Sequence, residues 1–264
     1  MSRPTYPLAC LLTIGLATLL LSACSTKRIA LPAEVLIDLK PESQITIVHY
    51  DPEPFSIYRG ERTGRGTALG MLFPIIGTAI EVGMDAADAK EAGAKFISQS
   101  QLTDPITDVE TRFLQAWQSE TGVKKLEISQ LTDNDEAGVL QTKYVTGYVL
   151  DFRTLAWFIQ PPAQSMFSFD PKTYPAVYVA RSRLVRLVDK TVVWQGTCEY
   201  DSDSSPTPTL NLTHIDGIDK GIAVRNAFKT LAVHCADVLW RQFFGRDTGP
   251  DLSSPSSFEK QAFR

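Results

Sequence analysis

His49, His214 and His234 are the chain's three histidines, and their surroundings decide what chemistry they can do. A nucleophilic hydrolase needs a Ser or Cys beside a base, often carried on a Gly-x-Ser-x-Gly elbow, and no such elbow occurs. His234 adjoins Cys235, but one such neighbour without a Cys-x-x-Cys is not a zinc ligand set. The glycines from 60 to 70 are not followed by Gly-Lys-Ser/Thr, so they do not form a phosphate-binding loop. The acidic run Glu199-Tyr200-Asp201-Ser202-Asp203 offers oxygens of the kind calcium takes. It lacks the glycine turn and the distant bidentate Glu of a calcium loop, and reads as a solvated segment. These residues predict no catalytic site, no metal and no cofactor.

Cys24 is the residue whose setting does predict chemistry. Arg3 supplies a short basic start, and Leu8 to Leu21 form an apolar run broken only by Thr13, Gly15 and Thr18. Such a run suits a secretory leader and is short of the roughly 20 residues a membrane-spanning helix needs. It ends in Leu21-Ser22-Ala23-Cys24, which resembles the lipobox of bacterial lipoproteins. That resemblance implies removal of residues 1–23, a diacylglycerol on the Cys24 thiol and an N-acyl chain on the new amino terminus. Two or more acyl chains hold a protein stably at a bilayer, where one holds it only marginally. Ser25 stands where an Asp marks inner-membrane lipoproteins, so the resemblance implies the periplasmic face of the outer membrane, with the inner membrane as the alternative.

Removing the leader takes away Arg3 and no acid, which moves the formal net charge from −4 to −5. That balance argues against a nucleic-acid partner. With 44% hydrophobic residues, the chain has the means to bury a core and is not a disordered stalk. Two cysteines remain beyond Cys24 and the leader's Cys10: Cys198, ending a strand-like run, and Cys235, on the apolar stripe of a helix-like segment. An even pair in an oxidising compartment reads as a disulfide, two buried thiols being the alternative. Closing that loop would contribute about 3–4 kcal/mol in the chain-entropy picture.

The elements that must position these residues follow from periodicity. Residues 24–34 read as a tether, Val35 to Leu39 as the first structured run, and Ile45 to Tyr50 as a strand ended by Pro52 and Pro54. Asp104-Pro105 opens a helix with Ile106, Val109, Phe113, Leu114 and Trp117 on one stripe, ending near Gly122. A short strand over Val123 to Ile128 and an acidic turn over Asp133 to Gly138 come next. Thr142 to Trp157 alternates as a strand, and Ala176 to Val188 and Thr191 to Tyr200 form an antiparallel hairpin around Asp189-Lys190. Arg181 and Arg183 share one face of that hairpin and are expected to face solvent or pair with acids of neighbouring strands. The longest helix is predicted over Asp216 to Phe243, and residues 247–264 as a loose tail.

The segment from Gly64 to Gly83 carries Gly66, Gly70, Leu72, Phe73, Pro74, Ile76 and Gly77, with Glu81 its one acid. Small residues four apart allow close helix approach, while Pro74 would break a helix. Three readings stand side by side: a loop and helix packed on the domain, an amphipathic element touching a membrane or partner, and a membrane span. The polar run from Asp85 to Ala92 continues it as a helix, so that residues 64–97 form an insertion within a domain spanning 35–246.

Two features carry a second resemblance: the passage from this glycine-rich stretch into a polar helix, and the strands followed by Trp194, Cys198 and a cysteine-bearing last helix. In these the chain resembles uncharacterised bacterial lipoproteins. It is similar also to auxiliary lipoproteins of ABC-type transport and to ring-forming lipoproteins of polysaccharide and curli export. The implied fold is a single α/β or α+β domain, with a mainly antiparallel or mixed sheet and helices on one face. The implied role is that of a non-enzymatic component that assembles with itself or with a transport or secretion machine. Its expected contact surfaces are the glycine-rich segment and an aromatic stretch with Trp157, Phe158, Met166 and Phe167. The competing class is a carrier or sensor for an apolar ligand such as a lipid.

Overall fold

The computed structural model describes residues 28–39, 43–58, 83–122, 126–131, 134–144, 147–159, 174–200 and 210–246. Its elements, in chain order, are α1 (Ala33–Asp38), β1 (Ile45–Tyr50), β2 (Ser56–Ile57), α2 (Gly83–Ser100), α3 (Ile106–Thr121) and β3 (Leu126–Leu131). They continue with α4 (Ala137–Lys143), β4 (Tyr148–Ile159), β5 (Ala176–Arg186), β6 (Thr191–Tyr200), α5 (Leu212–Ile215) and α6 (Ile222–Phe244). The strands form one mixed sheet in the order β3-β1-β4-β5-β6, with β2 also on β4. β1 runs parallel to both β3 and β4, whereas β4, β5 and β6 are antiparallel. This is the mixed-sheet, single-domain α+β architecture expected from the sequence.

Strand alternation sends side chains to two unlike cores. Ile45, Ile47, Leu150, Phe152, Tyr178, Leu184 and Trp194 belong to the large core that the long helices cover. Phe113 of α3 sits at its centre, with ring centroids 5.4 Å from Phe152, 5.5 Å from Phe243 and 6.1 Å from Trp194. Val48, Tyr50, Val149, Val185 and Leu187 form a smaller core with Leu140 of α4. The long helices therefore share one face, as the sequence implies, and the short α4 adds cover on the other.

Cys198 and Cys235 are bonded, joining β6 to α6 with Cα atoms 5.2 Å apart. The pair is 1% and 0% exposed, so the bridge lies within the core.

Several boundaries differ from the sequence reading for local reasons. Ala33–Asp38 is a short helix leading out of the tether, and the tether itself joins the fold, since Ile29 bridges Gln195 of β6. The long last helix starts only at Ile222, because Gly217 and Gly221 take φ of 74° and divide it from α5. At Gly221 a side chain would also strike Ser100, its Cβ falling 2.3 Å from that residue's Cβ. The acidic turn runs into helix α4, which delays β4 to Tyr148. No helix among the described residues is long and apolar enough to cross a membrane.

Candidate functional site

The residues His49-Tyr50-Asp51-Pro52-Glu53-Pro54-Phe55 build a break into the sheet. β1 pairs with Tyr148 to Phe152 of β4, and β2 takes up the same side of β4 only at Phe158 and Ile159. Pro52 and Pro54 lie between, and a proline has no N–H to donate to a ladder. A cleft of about 440 Å³ opens at this gap, lined by His49, Tyr50, Pro52, Asp104, Ile106 and Trp157 among others. Helix α2, whose Ile97 lines the cleft, packs closely on the chain just before β2. Gly93 of α2 lies so near Phe55 that a Cβ there would fall 2.0 Å from the Phe55 carbonyl oxygen.

β4 carries an irregularity at the same level. The register slips between Thr154 and Ala156, leaving Leu155 as the extra residue. A single inserted residue reverses which face later side chains take. Thus Leu150, Phe152 and Thr154 precede the slip, and Trp157 and Ile159 follow it, yet all are buried. Trp157, expected from its sequence setting on an exposed aromatic stretch, is 3% exposed and packs 4.9 Å from Phe55 and 5.9 Å from Phe228. Its indole N–H donates to the Glu53 carbonyl. Phe158 is half-buried and meets Tyr58 edge-on at 5.7 Å. Cys24, Gly66, Gly70, Leu72, Phe73, Pro74, Ile76, Gly77, Met166 and Phe167 lie outside the described residues.

The cleft floor holds polar groups the sequence gives no sign of. His49 Nδ1 stands 3.3 Å from Glu110 Oε2, and Glu110 is 5% exposed. Burial raises the Glu110 pKa, an effect that the nearby His49 opposes. Asp104 Oδ1 accepts from Thr154 Oγ1 at 2.6 Å and from the Ile106 amide at 2.8 Å at the start of α3. Its Oδ2 is enclosed without a hydrogen-bond partner, and burial raises its pKa. Thr154 also meets Tyr178 Oη at 3.2 Å, and burial holds that phenol protonated far above its ordinary range. Burial thus works against the charged forms of both carboxyls at the cleft. The Thr154 and Tyr178 hydroxyls are packed below it, 2% and 0% exposed, out of reach of a substrate. His49 and Glu110 lie on β1 and α3, far apart in the chain, and only the fold brings them together.

A second polar network fills the opposite face of the sheet. Asp151, 0% exposed, accepts from the Arg183 amide at 3.1 Å, from Arg183 Nε at 2.9 Å and from Tyr50 Oη at 3.0 Å. Asp135, just before α4, takes Arg181, Arg153 and Arg183 within 2.5, 3.2 and 3.6 Å. Burial alone would push the Asp135 carboxyl up, but these guanidiniums outweigh it and hold it below its ordinary value. The hairpin arginines are thus paired with acids of the neighbouring strand and loop, one of the two fates expected for them. Among the described residues no group of three His, Cys, Asp or Glu is placed to hold a metal.

No family model matches the chain, and no curated protein matches it. Among solved structures it is similar to the PelC dodecamer of Paraburkholderia phytofirmans, at 13% identity over 82% of this chain and 94% of that one, with a TM-score of 0.29. It is similar also to protein XCC0632 of Xanthomonas campestris, assigned to family model DUF330, at 15% identity over 77% and 85%, TM-score 0.32. A third is lipoprotein GNA1162 of Neisseria meningitidis, at 14% identity over 69% and 96%, TM-score 0.21. Bacterial lipoproteins are therefore among the proteins this chain is similar to. At these scores the likenesses decide neither its family nor its function.

Proposed function

We propose that the chain is an exported lipoprotein, cut before Cys24, acylated there and held at the periplasmic face of the outer membrane. Its folded domain acts as a non-enzymatic assembly or accessory component of a cell-envelope transport or secretion machine. The observation that carries the first part is the Cys198–Cys235 bridge in the core, since such bonds form and persist in oxidising compartments. That agrees with a leader ending in Leu21-Ser22-Ala23-Cys24. The accessory role draws on the resemblance of the strands, Trp194, Cys198 and the cysteine-bearing last helix to auxiliary and ring-forming lipoproteins of the envelope.

A second reading draws on the cleft between His49 and Trp157. Its volume of about 440 Å³ falls in the range of small-ligand sites, and Trp157, Ile97, Leu102 and Ile106 give it an apolar lining. A carrier or sensor of an apolar ligand would use it.

Light scattering on the lipidated protein in mild detergent, with and without residues Gly66 to Gly83, separates the two. The assembly reading expects a defined oligomer that dissociates on deletion. A monomer in both cases, with co-purified lipid, would contradict it in favour of the carrier.

A further inference from the structure

We propose that the β6 edge of the sheet lies against the lipid headgroups and that the β3 edge points away from the membrane, toward partners. This rests on the acylation of Cys24 proposed above, and its geometry comes from where the tether joins the fold.

Ile29 is fixed on both sides of its backbone: its N–H donates to Gln195 O and its carbonyl accepts from Gln195 N, each at 3.0 Å. Cys24 precedes Ile29 by five positions. Five residues of trans peptide reach at most about 17 Å, however they are arranged. Ile29 occupies a lane outside β6, and four more strand spacings separate β6 from β3 in the order β3-β1-β4-β5-β6. At about 4.8 Å per spacing the β3 edge is about 24 Å from Ile29. The tether is therefore too short for the domain to stand on its β3 edge, which leaves the β6 side as the side toward the bilayer.

The chemistry of that side agrees. Lys27 and Arg28 stand three and four positions after the acylated cysteine, and basic residues near an anchor are drawn to anionic headgroups. The β6 edge is also closed to strand addition at its centre. Gln195 is taken by Ile29, and Thr197 by the Gln242 side chain, whose Oε1 accepts from Thr197 N at 3.1 Å and whose Nε2 donates to Thr197 O at 3.0 Å. A second copy or a partner strand finds those backbone groups occupied, whereas a headgroup layer needs none of them.

The test uses the full lipidated chain in vesicles of phosphatidylethanolamine and phosphatidylglycerol carrying a headgroup nitroxide. A fluorescent thiol label is placed at Glu199→Cys, near the tether, or at Ser129→Cys on β3, with the native disulfide intact. Quenching is expected to be several-fold stronger at position 199. A flexible insert of about twenty Gly/Ser residues between Lys27 and Arg28, spanning about 25 Å, should bring the two sites level. Equal quenching with the natural tether, or stronger quenching at position 129, overturns the orientation while leaving the anchor intact. An intact mass showing Cys24 without acyl chains overturns the anchor and the orientation together.

Discussion

Gln242 of α6 holds Thr197 of β6 by both backbone groups, its amide oxygen accepting at 3.1 Å and its amide nitrogen donating at 3.0 Å. A side chain thus stands where a neighbouring strand would, two helical turns beyond the Cys235 that bonds the same strand's Cys198. Leaving such an edge open invites pairing with other chains. Gln242→Ala should lower stability by about 1–3 kcal/mol, at about 1 kcal/mol per hydrogen bond. Urea unfolding measures this, and the same variant should self-associate more readily on size exclusion.

The bridge between Cys198 and Cys235 spans 37 positions. Cys198→Ser should cost about 3–4 kcal/mol through loss of the closed loop. Calorimetry with and without reductant checks it: reductant should lower the melting temperature of the natural protein and leave that of the variant unmoved. Unchanged melting in both would mean the bridge contributes nothing.

Arg183 and Asp151 form a buried pair, and removal of one partner strands a charge. Asp151→Ala should destabilise by about 3–5 kcal/mol. The double variant Asp151→Leu with Arg183→Met should cost much less than the two single changes added together. A double-mutant cycle on unfolding free energies reads the difference directly.

The buried carboxyls set opposite pH dependences. Asp104 has its pKa raised by burial, so the folded chain holds its proton more tightly than the unfolded one. Its contribution to stability is fully present below the unfolded value and is lost as pH rises through the folded value. Asp135, held low by its three arginines, contributes above its unfolded value and loses that contribution as pH falls. Asp104→Asn keeps an oxygen for Thr154 and the Ile106 amide and removes the buried charge. It should therefore raise the melting temperature at about pH 8 and do so less at about pH 4. A gain that is the same at both pH values would contradict the burial account.

The hairpin of β5 and β6, the Cys198–Cys235 bond and the apolar stripe of α3 were all legible in the sequence. Each rests on a local signal: alternation around Asp189-Lys190, an even cysteine count, and apolar residues three and four apart. The inward turn of Trp157 was not, because it depends on one extra residue at Leu155 that alternation cannot reveal. Nor was the parallel pairing of β1 with β3 and β4, which joins segments far apart in the chain. For the same reason the meeting of His49 with Glu110, and of Asp104 with Thr154, escapes any motif search. The helix break at Gly217 and Gly221 had its signal in the glycines themselves, but the apolar stripe through Ile218 and Ile222 spoke for one continuous helix.

The central claim is that Cys24 carries the acyl chains that hold this domain at a membrane. Mass spectrometry of the mature amino-terminal peptide, paired with fractionation of Cys24→Ala, tests it most directly. The account predicts a chain beginning at Cys24 with a diacylglycerol and an N-acyl group, and a variant released into the soluble periplasmic fraction. A mature terminus elsewhere, or an unmodified Cys24 in a protein that still needs detergent for extraction, would contradict it.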